Sequence, residues 1–103
     1  MTVKEKRGRR RYIAFTTDPL LTKEAVISLL RKLSDIPPYV VQCAEGWAIV
    51  RCAPDDVDDT ITLMGLADPS SVSLRTSGTL ASLRDRYPEL KRLRPIKKNV
   101  KHK

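Results

Sequence analysis

Four short β-rich runs alternate with apolar stripes at helical spacing, and the order in which they follow one another narrows the fold more than any single motif does. Arg11–Thr17 (RYIAFTT) reads as a strand, with Ile13 and Phe15 on one face and Tyr12 and Ala14 on the other. Asp18-Pro19 marks a turn, and Thr22 suits a helix N-cap because its hydroxyl can accept a free N–H of the first turn. Val26, Leu29, Leu30 and Leu33 then recur at helical spacing to about Ser34, and Pro37-Pro38 forbids continuation because proline has no N–H to donate. Tyr39–Cys43 and Trp47–Cys52 flank Glu45-Gly46 and read as a hairpin with the three-residue turn Ala44-Glu45-Gly46. Pro54 opens a second helix whose first turns hold Asp55, Asp56, Asp58 and Asp59, where the helix dipole favours negative charge. Val57, Ile61 and Met64 supply its stripe, and Gly65 and Asp68-Pro69 are expected to end it. Val72–Ser77 is a fourth strand, with Val72 and Leu74 on one face and Ser73 and Arg75 on the other. A third helix runs from Gly78 or Thr79 to about Tyr87, aligning Leu80, Leu83 and Tyr87. Beyond Leu90 no apolar period is sustained, so the chain reads as tail with at most a short helical turn.

The order β-α-β-β-α-β is the split βαβ pattern. Right-handed crossovers then give an antiparallel sheet in the order 4-1-3-2 with both main helices on one face. The expected fold class is α+β: a ferredoxin-like or RNA-recognition-motif-like sandwich, with a basic arm at 1–10, the domain at 11–90 and a basic tail at 91–103. A length of 103 residues allows one core. The first and third strands are apolar on both faces, whereas a sheet with one wet face alternates apolar with polar. The second face is therefore expected to be covered, by the third helix or by another protein, with Tyr12, Trp47 and Ile49 as the partner interface. With Cys43 outside a three-residue turn, Cys43 and Cys52 point to opposite sides of the sheet and stay reduced.

The net charge of +8 is concentrated at the two ends. Residues 1–11 carry Lys4, Lys6, Arg7, Arg9, Arg10 and Arg11 against Glu5 alone, and residues 91–103 carry Lys91, Arg92, Arg94, Lys97, Lys98, Lys101 and Lys103 with no acid. Between them acidic residues outnumber basic ones. Clustered like charges repel unless a polyanion neutralises them, and a phosphate backbone does so with release of counterions. Merely solubilising ends are the bland alternative; an anionic membrane is disfavoured because neither end has an apolar face to insert. No apolar run approaches the roughly 18–20 residues of a membrane span, and no apolar stretch follows the basic start as a signal peptide requires. A soluble, cytoplasmic protein is expected.

Catalytic constellations are sparse. His102, the single histidine, lies in the basic tail, no Cys/His spacing suits a metal, and no glycine-rich phosphate loop occurs. The aspartates at 55–59 match a helix start better than a Mg²⁺ site. Acylphosphatases share the split βαβ topology but use an Arg with an Asn, and the only Asn here is Asn99 in the tail. Glu45–Cys52 (EGWAIVRC) approaches the RNA-recognition-motif signature on the corresponding strand, yet its first position is acidic and its fifth and last are Ile and Cys. Only Trp47 on that strand is left to stack a base, so the usual readout is missing.

Three segments in order, Lys6–Phe15 (KRGRRRYIAF), Gly46–Cys52 (GWAIVRC) and Leu74–Leu83 (LRTSGTLASL), resemble the archaeal ribonuclease P protein component 2 family over roughly residues 6–86. The resemblance implies a non-catalytic subunit of a ribonucleoprotein endoribonuclease that frees the mature 5′ end of precursor tRNA. The RNA is the catalyst, with Mg²⁺ expected on that RNA and no cofactor on the protein. It also implies two partners: ribonuclease P RNA and a barrel-fold subunit, component 3, in a heterotetramer. Relatives often have a longer, glycine-containing link where this chain has Pro37-Pro38. Expected RNA contacts are Arg7, Arg9, Arg10, Arg11, Arg51, Arg75, Lys91, Arg92, Lys97 and Lys98. Ser77-Gly78-Thr79 joins them if its free N–H groups hold a phosphate rather than form an ordinary helix cap. The rival reading is a ribosomal or general RNA-chaperone protein with basic ends and no dedicated partner.

Overall fold

The computed structural model describes residues 10–94. β1 (Arg11–Thr16), β2 (Tyr39–Ala44), β3 (Trp47–Cys52) and β4 (Val72–Ser77) form one sheet in the order β2-β3-β1-β4, with every neighbouring pair antiparallel. α1 (Lys23–Leu33) follows β1. α2 (Val57–Ala67) follows β3 through a 3₁₀ turn, Pro54–Asp56, and α3 (Leu80–Arg86) and α4 (Pro88–Arg92) follow β4. The chain is thus α+β with a four-stranded antiparallel sheet, as its pattern predicts.

Local chemistry explains the helix limits. Thr22 Oγ1 accepts from the Ala25 N–H at 3.1 Å and so caps α1 as expected. Two limits differ from the sequence reading. α2 runs through Gly65 to Ala67, because a helix interior tolerates glycine at a cost of about 1 kcal/mol. What ends it is the extended Asp68, which Pro69 enforces by disfavouring helical backbone in the residue before it. In α1 the buried stripe is Val26 and Leu30 with Ile27 beside them, and Leu33 is 43% exposed.

The hairpin corrects the predicted register. Glu45 (φ 50°) and Gly46 (φ 87°) both adopt left-handed backbone, which closes a two-residue turn between Ala44 and Trp47. Cys43 therefore faces Ala48 rather than Trp47, which places Cys43 and Cys52 on the same face. They still cannot bridge: four residues of strand separate Ala48 from Cys52, about 13 Å at 3.3 Å per residue, and both thiols are free. Burial raises each thiol's pKa, so both stay protonated at neutral pH.

Both faces of the sheet are packed. Ile13, Phe15, Val40, Ala48 and Val50 meet Val26 and Leu30 of α1 and Met64 of α2. On the other face Ala14 and Ile49 meet Leu83 of α3 and Leu90 of α4, each with no exposed surface. Burying a side chain of this size contributes about 1.5–3 kcal/mol. The cover expected over the doubly apolar strands is the chain's own. The last helix crosses the expected boundary after residue 90: Pro88 starts α4, Leu90 is buried against the sheet, and the helix runs on to Arg92. Two bulges adjust the outer strands, at Val41 in β2 and at Leu74 in β4. The second cancels the predicted alternation, since Leu74 packs into the α3–α4 side while its neighbour Arg75 stands opposite Ala14 of that same face.

Candidate nucleic-acid interface

The helical cover depends on one buried amide. Gln42, 2% exposed, donates from Nε2 to the Leu90 carbonyl at 3.0 Å. Its Oε1 accepts from Arg84 Nη2 at 2.7 Å and Nε at 3.3 Å. The β2 bulge turns Gln42 toward α3 and α4, where a strictly alternating strand would have pointed it elsewhere. Burial, followed by the nearby charge of Arg94, lowers the Arg84 pKa; the guanidinium still remains protonated at any physiological pH. Trp47 lies under the same cover, its ring 5.9 Å from that of Tyr87 and tilted by 43°. Ile49 is completely buried, and Tyr12 and Trp47 are half-buried beside it. The surface assigned from sequence to a partner is thus occupied by α3 and α4, and Ile49 presents nothing to another chain.

The cationic residues do not gather at one point. Arg10 and Arg11 enter β1, and the Arg11 guanidinium donates to the Arg10 carbonyl at 3.0 Å. Arg51 stands between Tyr12 and Tyr39 across the sheet, its guanidinium carbon 4.5 Å from the Tyr39 ring centroid. Arg75 is exposed on the outer strand β4. Lys91 and Arg92 are exposed on the last turn of α4, and Arg92 approaches Glu45 at 3.8 Å, a solvated pair of little energetic weight. Arg7, Arg9, Lys97 and Lys98 lie outside the described residues.

Ser77-Gly78-Thr79 forms a helix cap closed on itself. Thr79 N–H donates to Ser77 Oγ at 3.2 Å, and Thr79 Oγ1 accepts from the Ser82 N–H at 3.2 Å. The backbone freedom expected of Gly78 is unused: its φ is not positive, and a Cβ there would meet only Arg11 Nη1 at 3.8 Å. Of the two readings offered for this turn, the local cap accounts for these donors.

Folding separates the charges within the body. Residues 54–68, which form the 3₁₀ turn and α2, hold five aspartates and no base, on one side of the sheet. Residues 80–94, on the opposite side, hold Arg84, Arg86, Lys91, Arg92 and Arg94 against Asp85 and Glu89. A body that is acidic on balance therefore has a basic α3–α4 side. Sequence reasoning missed Gln42 and Arg84, whose one visible signal was a lone amide inside a β-rich run. It also missed Tyr39, because its stacking on Arg51 requires the strands to be paired. The sequence matches no protein-family model and no curated protein.

Proposed function

We propose that this chain is a non-catalytic protein subunit of ribonuclease P that binds and stabilises the catalytic RNA for 5′ maturation of precursor tRNA. The observation that carries the reading is the placement of charge. Basic sequence flanks the domain on both sides, and the α3–α4 side carries five bases against two acids while residues 54–68, on the opposite side, carry five aspartates and no base. The field of the basic side steers a polyanion toward such a body. The ordered resemblance of KRGRRRYIAF, GWAIVRC and LRTSGTLASL adds the identity of the RNA. The sheet and its helices are compatible with the ferredoxin-like, RNA-recognition-motif-like sandwich that the resemblance implies, used as a scaffold rather than as an open stacking face. Its protein partner in this reading is the barrel-fold subunit, in a heterotetramer, and its site of action is cytoplasmic. Among the described residues no helix is long and apolar enough to cross a membrane.

Reconstitution with ribonuclease P RNA and the barrel-fold subunit, assayed for 5′ cleavage of precursor tRNA with Mg²⁺, tests this. Cleavage is expected to depend on this chain. Equal cleavage without it, together with recovery of ribosomal RNA alone on purification, would transfer the assignment to a ribosomal or RNA-chaperone protein.

A further inference from the structure

Tyr39 and Arg51 lie outside the apolar cluster that α3 and α4 cover. Tyr39 is 54% exposed even with the Arg51 guanidinium stacked on its ring. It lines two surface hollows, both of which also include Pro37 and Pro38. The larger, about 490 Å³, is also lined by Ile36, Arg10 and Arg51, with Asp56 of the 3₁₀ turn and Asp59 of α2. The smaller, about 320 Å³, carries Lys23 and Arg31. Both fall within the roughly 300–1,000 Å³ typical of small-ligand sites. An exposed aromatic ring is thus flanked on each side by a pair of cations, with proline and isoleucine completing an apolar wall.

This arrangement suits a flexible polyanion that carries flat apolar groups. From it we infer that Tyr39 stacks an unpaired base of single-stranded RNA, with Arg10 and Arg51 holding the phosphate on one side of that base and Lys23 and Arg31 the phosphate on the other. The inference rests on the RNA-binding reading above and deepens it by locating a base-stacking site on the β2 edge. Stacking on aromatic rings tolerates any base because every base has a π face, and arginine adds a cation–π contribution. Asp56 and Asp59, which line the larger hollow, repel phosphate from it, so the base and its ribose enter while the backbone stays with the cations. Carboxylates accept hydrogen bonds only, which suits amino groups of a base and the ribose 2′-hydroxyl. An uncharged apolar peptide would leave both cation pairs unused.

The test uses the whole chain and a single-stranded adenylate oligonucleotide of about six residues with a central 2-aminopurine, whose fluorescence is quenched by stacking. The wild type and Tyr39→Phe are expected to bind and quench alike. Tyr39→Leu should bind about tenfold more weakly, without quenching, while its affinity for duplex RNA and its melting temperature stay unchanged. Full quenching and wild-type affinity in Tyr39→Leu would overturn the stacking site and leave the ribonuclease P reading standing. Loss of a co-purifying protein by Tyr39→Leu, with single-strand binding intact, would overturn it in favour of a protein interface. A wild type that binds neither single-stranded nor duplex RNA would remove the RNA-binding reading itself.

Discussion

At the scale of single residues, two glycines show how conformation rather than identity sets the effect of a substitution. Gly46 has φ +87°, and a Cβ there would lie 3.4 Å from the Thr17 carbonyl oxygen, beside the 2.8 Å bond from Thr17 N–H to Gly46 O. Gly46→Ala is expected to destabilise by about 1–2 kcal/mol through left-handed strain. Gly65 sits inside α2, where an added Cβ would have nothing within 4 Å, so Gly65→Ala should stabilise by about 0.5–1 kcal/mol. Urea unfolding of the two variants checks the opposite signs. Asp68 is a third case. Burial alone would raise its pKa, but the carboxylate accepts from the Asp18 N–H at 2.9 Å, the Ser70 hydroxyl at 2.7 Å and the Ser70 N–H at 3.0 Å, and these bonds hold it below the ordinary value. Because the folded pKa is depressed, its contribution is complete above about pH 4. That contribution fades as pH falls through the folded value. Asp68→Asn should cost about 1–2 kcal/mol at pH 7 and much less near pH 2, which acid titration of stability would show as a shallower decline.

Among the elements, α3 and α4 are the pair whose attachment is most specific. Leu83 and Leu90 provide apolar burial, and Gln42 ties both helices to β2 through Arg84 and the Leu90 carbonyl. Gln42→Ala leaves a guanidinium and a carbonyl without their partner in a buried layer, a loss of about 2 kcal/mol. Hydrogen exchange should then speed up in α3 and α4 before it does in β1 and β3, because the other face of the sheet is untouched. Unchanged protection of α3 and α4 would show that apolar packing alone holds them. The elements themselves were legible from periodicity: β-rich runs at 11–17, 39–43, 47–52 and 72–77 and apolar stripes after Thr22 and Pro54 all mark elements that form. The α4 anchor was not, since one leucine among Glu, Lys and Arg has no period to reveal it.

For the molecule as a whole, the prediction concerns salt. A domain boundary after Leu90, where the apolar pattern fades, would cut into α4. A clean test of the basic C-terminal segment therefore removes residues 95–103 and leaves Leu90 in place. That deletion takes away Lys97, Lys98, Lys101 and Lys103. If all four neutralise phosphates, the slope of log affinity against log salt should flatten by about 3, at roughly 0.7–0.9 per phosphate. An unchanged slope would show that residues 95–103 neutralise no phosphate. The same measurement on Tyr39→Leu should leave the slope alone, because a stacked ring releases no counterions.

The order of elements and the doubly apolar inner strands were set locally, by backbone propensity and by side-chain periods of two and 3.6, and so could be read from the sequence. The excess of positive charge at the ends was equally visible, being a matter of composition. The hairpin register turned on Glu45 and Gly46 both adopting left-handed backbone, and it moved the two cysteines to one face. Which surface covered the second face, how Gln42 came to bind Arg84, and the stacking of Arg51 on Tyr39 were decided by tertiary structure alone. Each joins residues from strands and helices far apart in the chain, so no local window contains both partners.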